Sequence, residues 1–185
     1  MAKQPSDISV FSRMIEASSV SARSAERQIE ATPAERAALA DVLDLQAIDR
    51  LVATLTLRRL SSGLIEVKGT LESEVVQTCV VTLEPVPAKV AETFRLTFGD
   101  DEPEPDLSEI DIDFEDSDPP EPILDGKIDL GALVAEQLSL GLDPYPRKAG
   151  AALPQEFAPN EAEIAAENER AGTRKPFLGL DKLKK

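Results

Sequence analysis

The residues of this chain best suited to chemistry are aromatic and cationic side chains set beside prolines. Tyr145 lies between Pro144 and Pro146 and is followed by Arg147 and Lys148; further on, Arg174 and Lys175 precede Pro176 and Phe177. Proline rings fix φ and restrict the residue before them, so Tyr145 is held between two constrained neighbours. An aromatic ring held beside cations can stack on unpaired bases and contact phosphate in single-stranded RNA. The competing reading is structural, with both rings buried and the cations solvated.

A second cluster is acidic. Residues 100–122 hold twelve Asp or Glu, among them Asp106, Glu109, Asp111, Asp113, Glu115 and Asp116, with five Pro and no basic residue. The net charge of −15 is therefore concentrated there, and the rest of the chain is nearly neutral. Such a composition reads as a solvated loop. Ile110, Ile112 and Phe114 alternate with Asp111, Asp113 and Glu115, however, the pattern of a short edge strand kept from aggregating by outward carboxylates. A basic protein partner suits this surface. A divalent cation suits it less, because the Asp-x-Asp-x-Asp-Gly spacing of a calcium loop is missing. Residues 170–185 are the opposite, with six Lys or Arg against Asp181.

Several function classes are excluded by what the chain lacks. It has no histidine, which removes Ser-His-Asp and Cys-His catalysis and His-ligated zinc. Its one cysteine, Cys79, forms neither an intramolecular disulfide nor a Cys-based zinc cluster and reads as a small buried hydrophobe. Gly126-Lys127 is not a phosphate-binding loop, since Glu121 stands where the first glycine is needed and Ile128 follows the lysine. There is no apolar stretch of signal-peptide or membrane-span character. These absences lead to the expectation of a cytoplasmic, non-enzymatic protein with no cofactor, metal, membrane or small-molecule substrate. The one enzymatic alternative is a magnesium hydrolase built on carboxylates such as Asp111 and Asp113, but nothing in their spacing positions them.

The elements that must position these groups are readable from periodicity. Thr32-Pro33-Ala34-Glu35 is a capping box with proline at the first helical position, predicting a helix over 33–42 that buries Leu39, Val42 and Leu43. From Ala47 the period becomes two, with Leu51, Ala53, Leu55 and Leu57 facing in, and Arg58 and Arg59 as solvated strand-end charges. Ser61-Ser62-Gly63 turns the chain. Ile65 to Leu71 and Val75 to Leu83 read as a second and third strand, Pro85 and Pro87 as an interruption, and Phe94, Leu96 and Phe98 as a fourth strand. Asp129 caps a last helix whose Leu130, Leu133, Val134 and Leu138 share one face, and Gly141 and Pro144 end it. The fold class is α+β: an antiparallel twisted sheet or small barrel packed by an N-terminal helix and a helix in the C-terminal half, with an acidic loop. Residues 1–148 form one domain, of which 1–31 are poorly specified; residues 149–185 form a linker and mobile basic tail with a Pro-Phe anchor.

Three strings carry a family resemblance. The residues Ile128-Asp129-Leu130, then Glu136-Gln137-Leu138-Ser139-Leu140, then Pro144-Tyr145-Pro146-Arg147-Lys148 resemble the C-terminal signature of the YceD family, bacterial and plastid proteins required for accumulation of 23S ribosomal RNA. Ala31-Thr32-Pro33-Ala34-Glu35-Arg36 resembles the start of that family's N-terminal helix, and Pro176-Phe177-Leu178-Gly179-Leu180-Asp181-Lys182-Leu183 its closing motif. The resemblance implies a factor in ribosome biogenesis whose partner is precursor or mature large-subunit rRNA, a basic large-subunit ribosomal protein held by the acidic segment, or both. Recruitment of a processing enzyme stays open beside these. Many family members have Cys-x-x-Cys where this chain has Cys79 and Thr82, a departure that argues against a metal or redox role here.

Overall fold

The described residues, 10–99 and 119–152 of this computed structural model, run in the order β1 (Met14–Glu16), a 3-10 turn (Ala17–Ser19), β2 (Ala25–Glu30), α1 (Pro33–Val42), β3 (Ala47–Arg59), β4 (Ile65–Thr78), β5 (Pro85–Gly99), β6 (Glu121–Pro122), β7 (Lys127–Asp129) and α2 (Leu130–Gly141). The chain divides into two units, Met1–Lys148 and Ala149–Lys185, and all these elements lie in the first. β2 to β6 form one sheet in chain order, antiparallel except where β6 joins β5 in parallel, while β1 and β7 pair separately. The sheet is open, so the barrel alternative is not realised. Closure needs two edges long enough to pair with each other, and one edge here is the two-residue β6.

The three long strands follow from alternation, with one correction. β3 buries Leu51, Ala53, Leu55 and Leu57 as its period predicts. β4 is a single strand of 14 residues where the sequence suggests two. The apparent gap is Ser73, which takes an inward position and satisfies its hydroxyl by donating to the Arg50 carbonyl at 2.7 Å. The turn falls instead at 79–84, and Pro85 and Pro87 begin β5 rather than interrupt a strand. Spaced two apart, they withdraw N–H groups from one edge only, and β5 has an unpaired edge there among the described residues. Midway along β4 the inward residue is Gly69; an added Cβ would collide with the Phe94 ring and lie 2.7 Å from Leu55 Cδ2. The ring fills the space the glycine leaves.

Both helices cover the inner face of this sheet and contribute to one aliphatic core. α1 has the predicted bounds and its capping box: Thr32 Oγ1 accepts from Glu35 N at 3.3 Å, and Glu35 accepts from Thr32 N at 2.8 Å. It buries Leu39 and Ala40, while Val42 and Leu43 are only half-buried, because the helix ends there and Asp44, at φ +56°, redirects the chain. α2 begins at the predicted cap, Asp129, and buries Leu130, Leu133, Val134 and Leu138.

Residues 10–31 form more regular structure than their composition indicates. Asp129 accepts from Arg13 N at 2.7 Å as well as from Gly131 N and Ala132 N, which ties β1 to the start of α2. The Arg13 guanidinium grips both Glu35 oxygens, at 2.7 and 3.0 Å, and holds that carboxyl down at a pKa of about 2. β2 is an edge strand with only Ile29 half-buried, so no alternation announces it. Gly126-Lys127 has its explanation too: Asp125 and Gly126, at φ +51° and +70°, make a two-residue hairpin turn closed by the Leu124–Lys127 bridge.

Candidate functional site

The Pro-Tyr-Pro turn does not stand alone. Pro144 cannot extend α2, so the chain leaves the helix and crosses the tip of the β4–β5 hairpin, residues 79–84. There the two segments are joined by backbone groups. Val80 N donates to the Pro146 carbonyl at 2.9 Å, Lys148 N to Cys79 Sγ at 3.4 Å, and Gln77 Nε2 to the Asp143 carbonyl at 2.8 Å. Asp143 Oδ1 accepts from Tyr145 N at 2.9 Å, a local turn that fixes the ring's base. Pro146 is buried in the joint and Tyr145 is lifted out of it, 71 % exposed.

Both segments of the joint, and the helix end before it, carry exposed apolar residues. Val80 and Leu83 on the hairpin tip and Leu140 near the end of α2 are all exposed. Leu83 is 74 % exposed and sits at φ +59°, a left-handed backbone that costs a non-glycine residue energy and returns no core packing. That backbone closes the turn, with Leu83 N donating to the Cys79 carbonyl and Cys79 N to the Glu84 carbonyl, both at 2.9 Å, and leaves the leucine side chain in solvent. Arg147 is exposed and makes no ion pair among the described residues. Lys148 Nζ, by contrast, is held by Glu84 Oε1 at 2.8 Å, which also lowers the Glu84 pKa.

Cys79 is structural in position: it is fully buried, outside the main core cluster, where the hairpin tip meets the segment after α2. The Lys148 backbone N–H foremost, then the Thr82 hydroxyl and N–H, stabilise its thiolate and pull its pKa from 9.0 down to about 6. Thr82 stands where a second cysteine would complete a Cys-x-x-Cys, and donates to the sulfur in its place. Among the described residues no group of three His, Cys, Asp or Glu side chains is arranged to hold a metal ion, and no helix is long and apolar enough to cross a membrane.

Of the residues expected from the sequence to act, Tyr145, Arg147 and Lys148 therefore come together at one knuckle. Arg174, Lys175 and Phe177, and Asp106, Glu109, Asp111, Asp113, Glu115 and Asp116, lie outside the described residues, as does the Ile110, Ile112 and Phe114 edge strand. Val80 and Leu83 were missed because they read as the end of a strand; the signal that relocates them is Pro85 and Pro87, which mark where an edge strand begins.

No curated protein and no solved structure matches the chain. A family model does, that of the large ribosomal RNA subunit accumulation protein YceD, over residues 67–184. The match takes in the whole knuckle, Cys79 and Tyr145 alike, and starts after the capping box of α1. Since it spans more than half of the sequence, the chain belongs to the YceD family.

Proposed function

We propose that this protein is a non-enzymatic, cytoplasmic factor for accumulation or processing of large-subunit (23S) rRNA, and that it acts by binding, with the knuckle of Tyr145, Arg147 and Leu83 as a contact to precursor or mature rRNA. One observation carries the reading: a tyrosine rigidly held at both flanks yet 71 % exposed, next to a cation without an ion pair among the described residues, inside the region that matches the family model. Stacking of an unpaired base on such a ring is worth about 1 to 3 kcal/mol. Lys148 takes a supporting part, since Glu84 already occupies it.

Depletion is expected to lower mature 23S relative to 16S rRNA, and a Tyr145→Ala, Arg147→Ala variant is expected to fold but fail to restore the ratio. Unchanged rRNA ratios and subunit profiles on depletion would refute the function. The chain has one tyrosine and no tryptophan, so its intrinsic emission reports this site alone. Added single-stranded RNA should quench it. A second reading rests on the twelve carboxylates of residues 100–122: an acidic holder for a basic large-subunit ribosomal protein. Deleting that segment should abolish co-purification with such a partner, and unaffected pull-downs would remove the idea.

A further inference from the structure

Among the described residues no helix packs on the outer face of the sheet, and its charges are organised differently at its two ends. Near the β4–β5 turn they pair one to one, Arg50 with Glu72 at 3.0 Å and Lys89 with Glu74 at 3.1 Å. Near the β3–β4 turn three cations share one carboxylate. Glu66 Oε1 lies 3.0 Å from Arg58 Nη2 and 3.4 Å from Lys68 Nζ, and Oε2 faces Arg95 Nη2 in an ion pair without hydrogen-bond alignment. Glu66 is buried beneath these side chains, whereas they are 46 %, 53 % and 63 % exposed. The register makes Lys68 and Arg95 direct cross-strand neighbours. Like charges so placed are destabilising, so an arrangement selected for stability alone would put an acid at one of them. Two further carboxylates lie at this end among the described residues: Glu26 stands at the far edge of the same row, across Thr56, and Glu121 lines a recess with Arg95 and Thr97.

The rest of the surface there is hydroxyl. Thr56 lies between Glu26 and Lys68, Thr97 pairs with Glu66, and the next row along the strands sets Thr54, Thr70 and Thr93 side by side. Protein interfaces draw their energy from buried aromatic and apolar anchors; the outward positions of these rows carry none, and the apolar Leu60, Leu64, Pro119 and Pro120 line a recess to one side, beside Arg95 and Thr97. Arginine, lysine and threonine on an open sheet are instead the donors that meet sugar-phosphate oxygens. Glu66 adds preorganisation: by gathering three flexible cations before any ligand arrives, it removes part of the ordering that binding otherwise requires.

We infer that Arg58, Lys68 and Arg95, gathered by Glu66, form a second RNA-contact site that binds the phosphate backbone, separate from the knuckle. The inference rests on the reading of this chain as an rRNA factor and names the surface that supplies its sequence-independent affinity. Glu66 is a positioning residue.

The experiment is salt-dependent binding of a labelled oligouridylate to the full chain. Each phosphate contact contributes about −0.7 to the log-log slope for single strands, so three sheet cations and Arg147 together predict about −3. Replacing Arg58, Lys68 and Arg95 by Gln should weaken binding about tenfold or more at low salt and leave a slope of about −1. Because that variant strands the Glu66 carboxylate, the same measurement on a variant carrying Glu66→Gln as well removes the whole cluster without leaving a lone charge. A folded fourfold variant with unaltered slope and affinity overturns the site. Loss confined to Tyr145→Ala, Arg147→Ala also overturns it while leaving the knuckle reading intact, and the reverse pattern supports the sheet site against the knuckle. Equally tight, equally salt-sensitive binding of polyglutamate would assign the face to an acidic protein and refute RNA.

Discussion

The knuckle and the sheet-face cluster both present cations to solvent, yet they are assembled in opposite ways. The cluster is a product of register: three successive strands bring Arg58, Glu66, Lys68 and Arg95 together because the ladder aligns them. The knuckle is a product of docking, in which residues 69 positions apart meet through the Cys79 sulfur and the backbone N–H of Lys148. Among the described residues, one site carries threonine and charge and no aromatic group; the other carries tyrosine, leucine and valine and a single cation without an ion pair. In the proposed roles the difference is between affinity through charge and orientation through a ring, the division seen between backbone and base contacts in nucleic-acid recognition.

Breaking the register while sparing the docking is the most severe test. Gly69→Val forces a branched side chain into the Phe94 ring and is expected to cost about 3 kcal/mol. Urea unfolding measures the loss, and tyrosine emission below the transition should stay that of an exposed ring. Asp129→Ala removes the α2 cap and strands the Arg13 N–H, at about 2 kcal/mol. It loosens the N-terminal segment and the start of α2 but should leave the RNA salt slope untouched. Leu83→Gly relieves the left-handed backbone and loses an exposed side chain, so stability should change by less than about 1 kcal/mol. Sedimentation with large ribosomal particles should nevertheless fall, and unchanged sedimentation would make Leu83 an idle residue.

The smallest effect tests the joint itself through pH. The folded-state pKa of Cys79, about 6, lies below its ordinary value of 9.0, so the group's contribution to stability is full above 9, shrinks as pH falls, and is gone below about 6. Melting temperature should therefore rise more between pH 6 and 9 in the wild type than in Cys79→Ser. An identical rise in both would show that Lys148 N and Thr82 do not hold a thiolate.

What was legible in the sequence is local. The capping box at Thr32, the cap at Asp129 and the alternation of β3 each depend on residues within one turn or one strand, and each stands where expected. Ser73 and the pair Pro85 and Pro87 misled because their compensation is distant: a carbonyl on the next strand for the serine, an unpaired sheet edge for the prolines. The same limit divides the candidate sites. Tyr145 and Arg147 announce themselves between prolines, whereas Arg58 and Arg95 are 37 positions apart and become one site only once β4 lies between them.

The docking of Lys148 on Cys79 also sets what must be made before each surface can form. The cations of the sheet face are all present once residue 95 has been made, whereas the knuckle waits for residue 148. The sheet and α2 nevertheless share one aliphatic core, so the inner face of the strands is not fully covered until α2 packs on it. The domain therefore folds as a unit, and its charged face and its aromatic corner are acquired together rather than in turn.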